Sequence, residues 1–109
     1  MAPNAAMIAK KIVNSPLVKA AVFGFSRVLA RELGPYDIRV NTLCPGSTMS
    51  EDEPDEEAIK RYEQSASSRI LKRIEKPEDV VGTALYLVSD WSSFVTGQTF
   101  LVNGGAVLH

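Results

Sequence analysis

A chain of 109 residues, 45% of them apolar and 23% charged, makes one domain at most, with a modest burial ratio for that size. Twelve Lys and Arg against thirteen Asp and Glu, interleaved along the chain, exclude a nucleic-acid binder on charge. No apolar stretch is long enough to span a bilayer, and the start MAPNAAMIAKK lacks an apolar core of signal-peptide length, so a cytoplasmic address and no membrane partner are expected.

Residues 1–14 give no defined element. Ser15-Pro16 reads as an N-cap followed by proline at the first helical position, and Gly34-Pro35 as a stop, which predicts a helix over 15–33. Val18, Val22, Phe25, Leu29 and Leu33 form one apolar stripe, and Leu17, Ala20, Ala21, Phe23 and Gly24 a second side over the first half. A helix apolar on two faces is expected to be buried on two faces. Ile38 to Cys44 reads as a strand. Cys44 is the lone cysteine, which excludes an internal disulfide and a cysteine-cluster metal site, and a buried, inert thiol is expected there.

The acidic run Ser50 to Glu57 has no ligand spacing, so no metal is expected, and its acids suit the start of the helix that follows. That helix is expected from about Pro54 to Ala66, with Ala58, Ile59 and Tyr62 on one side. The next runs from Pro77 to about Val88 and, with Val80, Val81, Ala84, Leu85, Leu87 and Val88, should be largely buried. Trp91 and Phe94 read as packing residues of the turn after it, with a partner contact as the lesser alternative. A last strand covers Gln98 to Asn103, and the crossover between the two strands is expected to be right-handed.

Two blocks carry more than secondary structure. One is Lys19 to Arg27 (KAAVFGFSR), with LARELG at 29–34, IRVN at 38–41 and Pro45-Gly46. The other runs from Leu71 to Gly105 through Arg73, Pro77, Glu78, Asp79, Ser89, Asp90, Thr96, Gly97, Gln98, Gly104 and Gly105. Together they resemble the short-chain dehydrogenase/reductase family over roughly residues 19–105, departing at Asn103, where the family usually has Asp. The resemblance implies an α/β fold, the C-terminal portion of a Rossmann-like doubly wound parallel sheet. Residues 1–109 would form one partial domain, with 47–57 as its variable acidic substrate-side loop. It also implies reversible hydride transfer between NAD or NADP and a carbonyl or alcohol. Lys19 matches the catalytic lysine, which also bonds the nicotinamide ribose. Pro45 and Gly46 match the turn beside the nicotinamide ring, Thr48 the position whose backbone bonds the carboxamide, and Ser50 a frequent Thr near the carboxamide and pyrophosphate. The helix over 16–33 pairs with its counterpart in a neighbouring subunit in that family, so a homo-oligomer through this helix and the C-terminal segment is expected.

Two family features have no counterpart. The lysine closes a Tyr-x-x-x-Lys motif, and four places before Lys19 stands Ser15; Tyr36, Tyr62 and Tyr86 lie elsewhere. Residues four apart share a helix face, so an ammonium there lowers the pKa of a phenol toward working pH, a role serine cannot take. The glycines at 24, 34, 46, 82, 97, 104 and 105 form no cradle for a pyrophosphate at a helix start. The chain therefore reads as a truncated C-terminal half, inactive as an isolated polypeptide. A non-catalytic oligomerisation or interaction module, or a degenerate gene product, is the alternative. Without the sheet's earlier strands, the strand from Ile38 is expected to expose an unpaired edge and an apolar face.

Overall fold

The computed structural model describes residues 5–9 and 16–108, with side chains from residue 17 onward. Strand β1 (Ala5–Ala9) precedes helix α1 (Pro16–Leu33), strand β2 (Arg39–Pro45), helices α2 (Glu56–Ser67) and α3 (Glu78–Val88), and strand β3 (Thr99–Val102). The sheet order is β1-β2-β3. β1 and β2 run parallel, with Ala5 opposite Arg39 and Ala9 opposite Leu43. Thr42 N–H donates to the Gln98 carbonyl at 2.8 Å and Gly46 N–H to Val102 at 3.0 Å, a register that climbs in the same direction on β2 and β3.

The expected free edge on β2 is therefore corrected. β1 covers it, and Arg39 to Leu43 are all buried. Little in AAMIA announces this strand: three of its five residues are alanine, Ile8 alone is β-branched, and no apolar–polar alternation runs through it.

The chain divides into two compact units, Met1–Cys44 with Thr83–Phe100 and Pro45–Gly82 with Leu101–His109. In the first, α1 ends into a short 3-10 turn over Gly34–Tyr36, so Pro35 starts a tighter turn where it cannot continue the helix. Asp37 then takes the left-handed conformation, φ 59°, and its N–H reaches the Gly34 carbonyl. The cap expected at Ser15 lies outside the described residues. On β2, Arg39 and Asn41 fall two apart and face the same side. The Arg39 guanidinium donates to the carbonyls of Leu87 (3.0 Å) and Val95 (3.1 Å), and Asn41 donates to Val95 and accepts from Gln98 N–H. A cation on the last carbonyls of α3 meets the negative end of the helix dipole.

Burial departs from expectation on α3, while α1 leaves exposed part of the apolar surface expected to meet a neighbouring subunit. Leu17 and Phe25 of α1 are 80% and 60% exposed, while Ser26 and Ala30 are buried. On α3 only Leu87 is buried; Val81, Leu85 and Val88 face solvent. Trp91 and Phe94, expected to pack, are 88% and 101% exposed. The apolar positions were legible, but periodicity does not say which apolar face meets this chain.

In the second unit α2 starts at Glu56, two residues later than the Pro54 start expected, and is capped by Asp55, whose carboxylate accepts from Ala58 N–H at 2.7 Å. Arg73 holds Asp79 through two bonds of 2.7 Å, and Asp79 also accepts from Lys76 N–H. That gives the Arg73, Pro77, Asp79 spacing a structural reason: it staples the loop to the first turn of α3. No described helix is long and apolar enough to cross a membrane.

Candidate functional site

The turn after β2 gathers three of the candidate residues in the second unit. Pro45 ends the strand, half-buried. Gly46 N–H lies 3.0 Å from the Val102 carbonyl and 3.2 Å from Glu75 Oε2. A Cβ at position 46 would stand 2.8 Å from Glu75 Oε1 and 3.0 Å from Asn103 Cβ, so only glycine fits there. The Thr48 hydroxyl lies 2.9 Å from Glu75 Oε2 and 3.1 Å from the Gly46 carbonyl, one proton between two acceptors. Thr48 also pairs with Glu75 as a parallel bridge, and Met49 N–H donates to the Glu75 carbonyl at 2.8 Å. Ser50, the fourth candidate on this stretch, is exposed.

Beneath the turn lies a buried ion pair that the sequence did not single out. Arg69 is 2% exposed and Glu75 5%, with 3.8 Å between Nη2 and Oε1. Arg69 donates to the Ser47 carbonyl at 2.7 Å and to the Arg73 carbonyl at 3.0 Å. Arg69 and Glu75 stand six apart, and 22 and 27 residues separate them from Ser47 and Thr48, so only the charged residues flanking the Ile70-Leu71 pair and Ile74 hinted at the pair.

Asn103 replaces the expected Asp without loss of the local turn. Its side-chain carbonyl accepts from Gly105 N–H at 3.0 Å, and Gly105 sits at φ +83° with Ile70 where a Cβ would go.

In the first unit Lys19 stands on α1, exposed. Burial pushes the Cys44 thiol up from its ordinary pKa, and the positive charge of Lys19 partly offsets the shift. Cys44 is half-buried where full burial was expected. Tyr62 is no substitute for the absent motif tyrosine: its hydroxyl donates to Glu51, which raises the phenol's pKa and lowers that of the carboxyl. Among the described residues no three metal-ligating side chains cluster.

This chain is similar to known proteins in sequence and in fold. Residues 5–107 match the family described as enoyl-(acyl carrier protein) reductase. The chain is 42% identical over 99 residues to the 3-oxoacyl-[acyl-carrier-protein] reductase FabG of Thermotoga maritima, an alignment covering 87% of this chain and 38% of that protein. The crystal structure of a 3-oxoacyl-[acyl-carrier protein] reductase from Brucella melitensis superposes with a TM-score of 0.75 at 30% identity, covering 95% of this chain and 42% of that one. A 4-hydroxyisoleucine dehydrogenase complexed with NADH and succinate gives 0.76 at 26%, covering 94% and 46%. The chain belongs to the short-chain dehydrogenase/reductase family, as an α/β, partly Rossmann-like domain. It spans well under half the length of these relatives.

Proposed function

We propose that this chain contributes the nicotinamide-side part of an NAD(P)-dependent oxidoreductase acting on a carbonyl or alcohol, with 3-oxoacyl thioesters as the substrate class. The observation that carries this reading is the Pro45-Gly46-Ser47-Thr48 turn, held by Val102, Glu75 and Arg69 within a chain 42% identical to a FabG. The residues fit one end of such a cofactor. The turn offers peptide groups to a carboxamide; Lys19, in the other unit, has its ribose role from the family resemblance alone. Among the described residues the left-handed glycines are Gly97, Gly104 and Gly105, and none opens a helix, so they do not fit a pyrophosphate. When bound, the cofactor supplies the hydride.

This chain's part is to orient the nicotinamide and, through Lys19, to favour phenolate on a tyrosine that it does not itself place at the motif position. Turnover accordingly needs a glycine-rich half and that tyrosine from elsewhere, in a cytoplasmic setting. The 109-residue chain should show no NADH- or NADPH-linked reduction of an acetoacetyl thioester and no micromolar binding of either dinucleotide by calorimetry. Millimolar nicotinamide mononucleotide should shift the amides of residues 46–50. Micromolar dinucleotide binding, or mononucleotide shifts confined to other residues, would overturn the reading.

The second reading, a homo-oligomerising module, is favoured by exposed Leu17, Phe25 and Val28 on α1 and by Val107 and Leu108 at the C-terminal segment. Fully burying such side chains contributes roughly 1.5–3 kcal/mol each. Light scattering at low micromolar concentration should give more than one chain per particle, and a strictly monomeric species would end this reading.

A further inference from the structure

We propose that Glu75, supported by Arg69, is a positioning residue that fixes the peptide of the Gly46–Met49 turn for the cofactor's carboxamide. The inference rests on the cofactor reading above. Glu75 grips the turn twice. Its main chain accepts from Met49 N–H and pairs with Thr48, while its side-chain Oε2 takes Gly46 N–H at 3.2 Å and the Thr48 hydroxyl at 2.9 Å. Arg69 holds the remaining peptide through the Ser47 carbonyl.

A carboxylate this buried is tolerated only with a cation and donors around it, and Arg69 at 3.8 Å supplies the cation. The turn thus gains four successive anchored residues; of the carboxylate's two oxygens, Oε2 takes both donors, and Oε1 faces the Arg69 cation at 3.8 Å without a hydrogen bond among the described residues. The Thr48 hydroxyl is committed inward to Glu75 and the Gly46 carbonyl. What the turn can present to a carboxamide is therefore its remaining peptide groups, since Gly46 N–H, the Gly46 and Ser47 carbonyls and Met49 N–H are already engaged. Glu75 touches none of the reacting atoms; it acts through the turn.

The test compares the full chain with Glu75→Ala, Glu75→Gln and Thr48→Val by amide exchange and by titration with nicotinamide mononucleotide, both followed in two-dimensional NMR. Glu75→Ala should raise exchange at Gly46 and Met49 by about tenfold, the equivalent of one net hydrogen bond, while Thr42 on the β2–β3 pair stays unchanged. It should also weaken the mononucleotide shifts at 46–50. Glu75→Gln, whose amide carbonyl can accept from the same two donors, should restore both, a rescue that mere bulk would not give.

Thr48→Val leaves the ion pair intact and should reproduce the exchange change at Gly46 in smaller measure, which keeps the test open should Glu75→Ala fail to fold. Unchanged exchange at Gly46 in Thr48→Val together with unchanged exchange in a folded Glu75→Ala overturns the clamp. Faster exchange with undiminished mononucleotide shifts in Glu75→Ala overturns its role toward the ligand. Absence of shifts at 46–50 in the unaltered chain instead sinks the cofactor reading, and the exchange arm still decides the clamp.

Discussion

Two buried arginines, one in each unit, solve the same problem in different ways. Arg39 directs its guanidinium at main-chain carbonyls, Leu87 and Val95, and among the described residues forms no ion pair. Its Nε finds no acceptor, and neither does that of Arg69. Arg69 also takes two carbonyls, Ser47 and Arg73, but has a carboxylate beside it whose Oε2 serves the turn after β2. The first arrangement closes a helix end and a loop, and asks nothing of any ligand-facing group. The second carries a charge whose partner is shared with the candidate site. A buried cation is thus scaffold or site support according to what its neighbour does.

The largest expected effect separates the two. Arg69→Met strands the Glu75 carboxylate in the interior and should destabilise by about 3–5 kcal/mol in denaturant unfolding. Adding Glu75→Leu should recover part of that loss, since the stranded charge is removed with its partner. A double variant no more stable than Arg69→Met would show that the two side chains do not act as a pair.

Arg39→Met leaves two carbonyls short of a donor but no carboxylate, so a smaller loss of about 2–3 kcal/mol is expected. No second substitution of an acid should rescue it. Smaller again, Asp55→Ala removes the cap of α2 and should lower stability by about 1 kcal/mol, with Asp55→Ser close to the unaltered chain.

The smallest effect is on pH. The Arg73 guanidinium beside Asp79 holds that carboxyl well below the usual carboxylate range, and Arg73 is raised in turn. A depressed carboxyl contributes stability that is complete above the unfolded pKa of about 3.9 and is lost as pH falls from there toward the folded value. The stability difference between the unaltered chain and Asp79→Asn should therefore be flat near neutrality and shrink in acid, as measured by thermal unfolding across pH. A difference that stays constant below pH 4 would show the pair to be open in solution.

Five of the six main elements were legible within a few residues, because their signals are local: Gly34-Pro35 after α1, the β-branched run in β2, the acids before α2, Pro77 before α3 and the glycines after β3. β1 was not, because a short strand with three alanines and no alternation is specified by its neighbour and not by its own pattern. Of the candidate site, Pro45, Gly46 and Thr48 were named through the family resemblance, and the structure gathers them at one turn. Glu75 and Arg69 were not, since a side chain reaching across 27 residues to Thr48 leaves no periodic trace. Solvent exposure was the least legible property. Val81, Leu85, Trp91 and Phe94 are apolar, and nothing in a sequence distinguishes a face that meets the same chain from one that does not.

Ser92, fully buried, is anchored to the Leu87 and Ser89 carbonyls, and the neighbouring Trp91 is thrown into water as a result. It is the sole tryptophan of the chain. Its indole emission is therefore a single-site optical signal, red-shifted while this turn is wetted and moving toward the blue when another surface dries it. The protein carries its own fluorophore at the end of α3, and association there can be followed without a label.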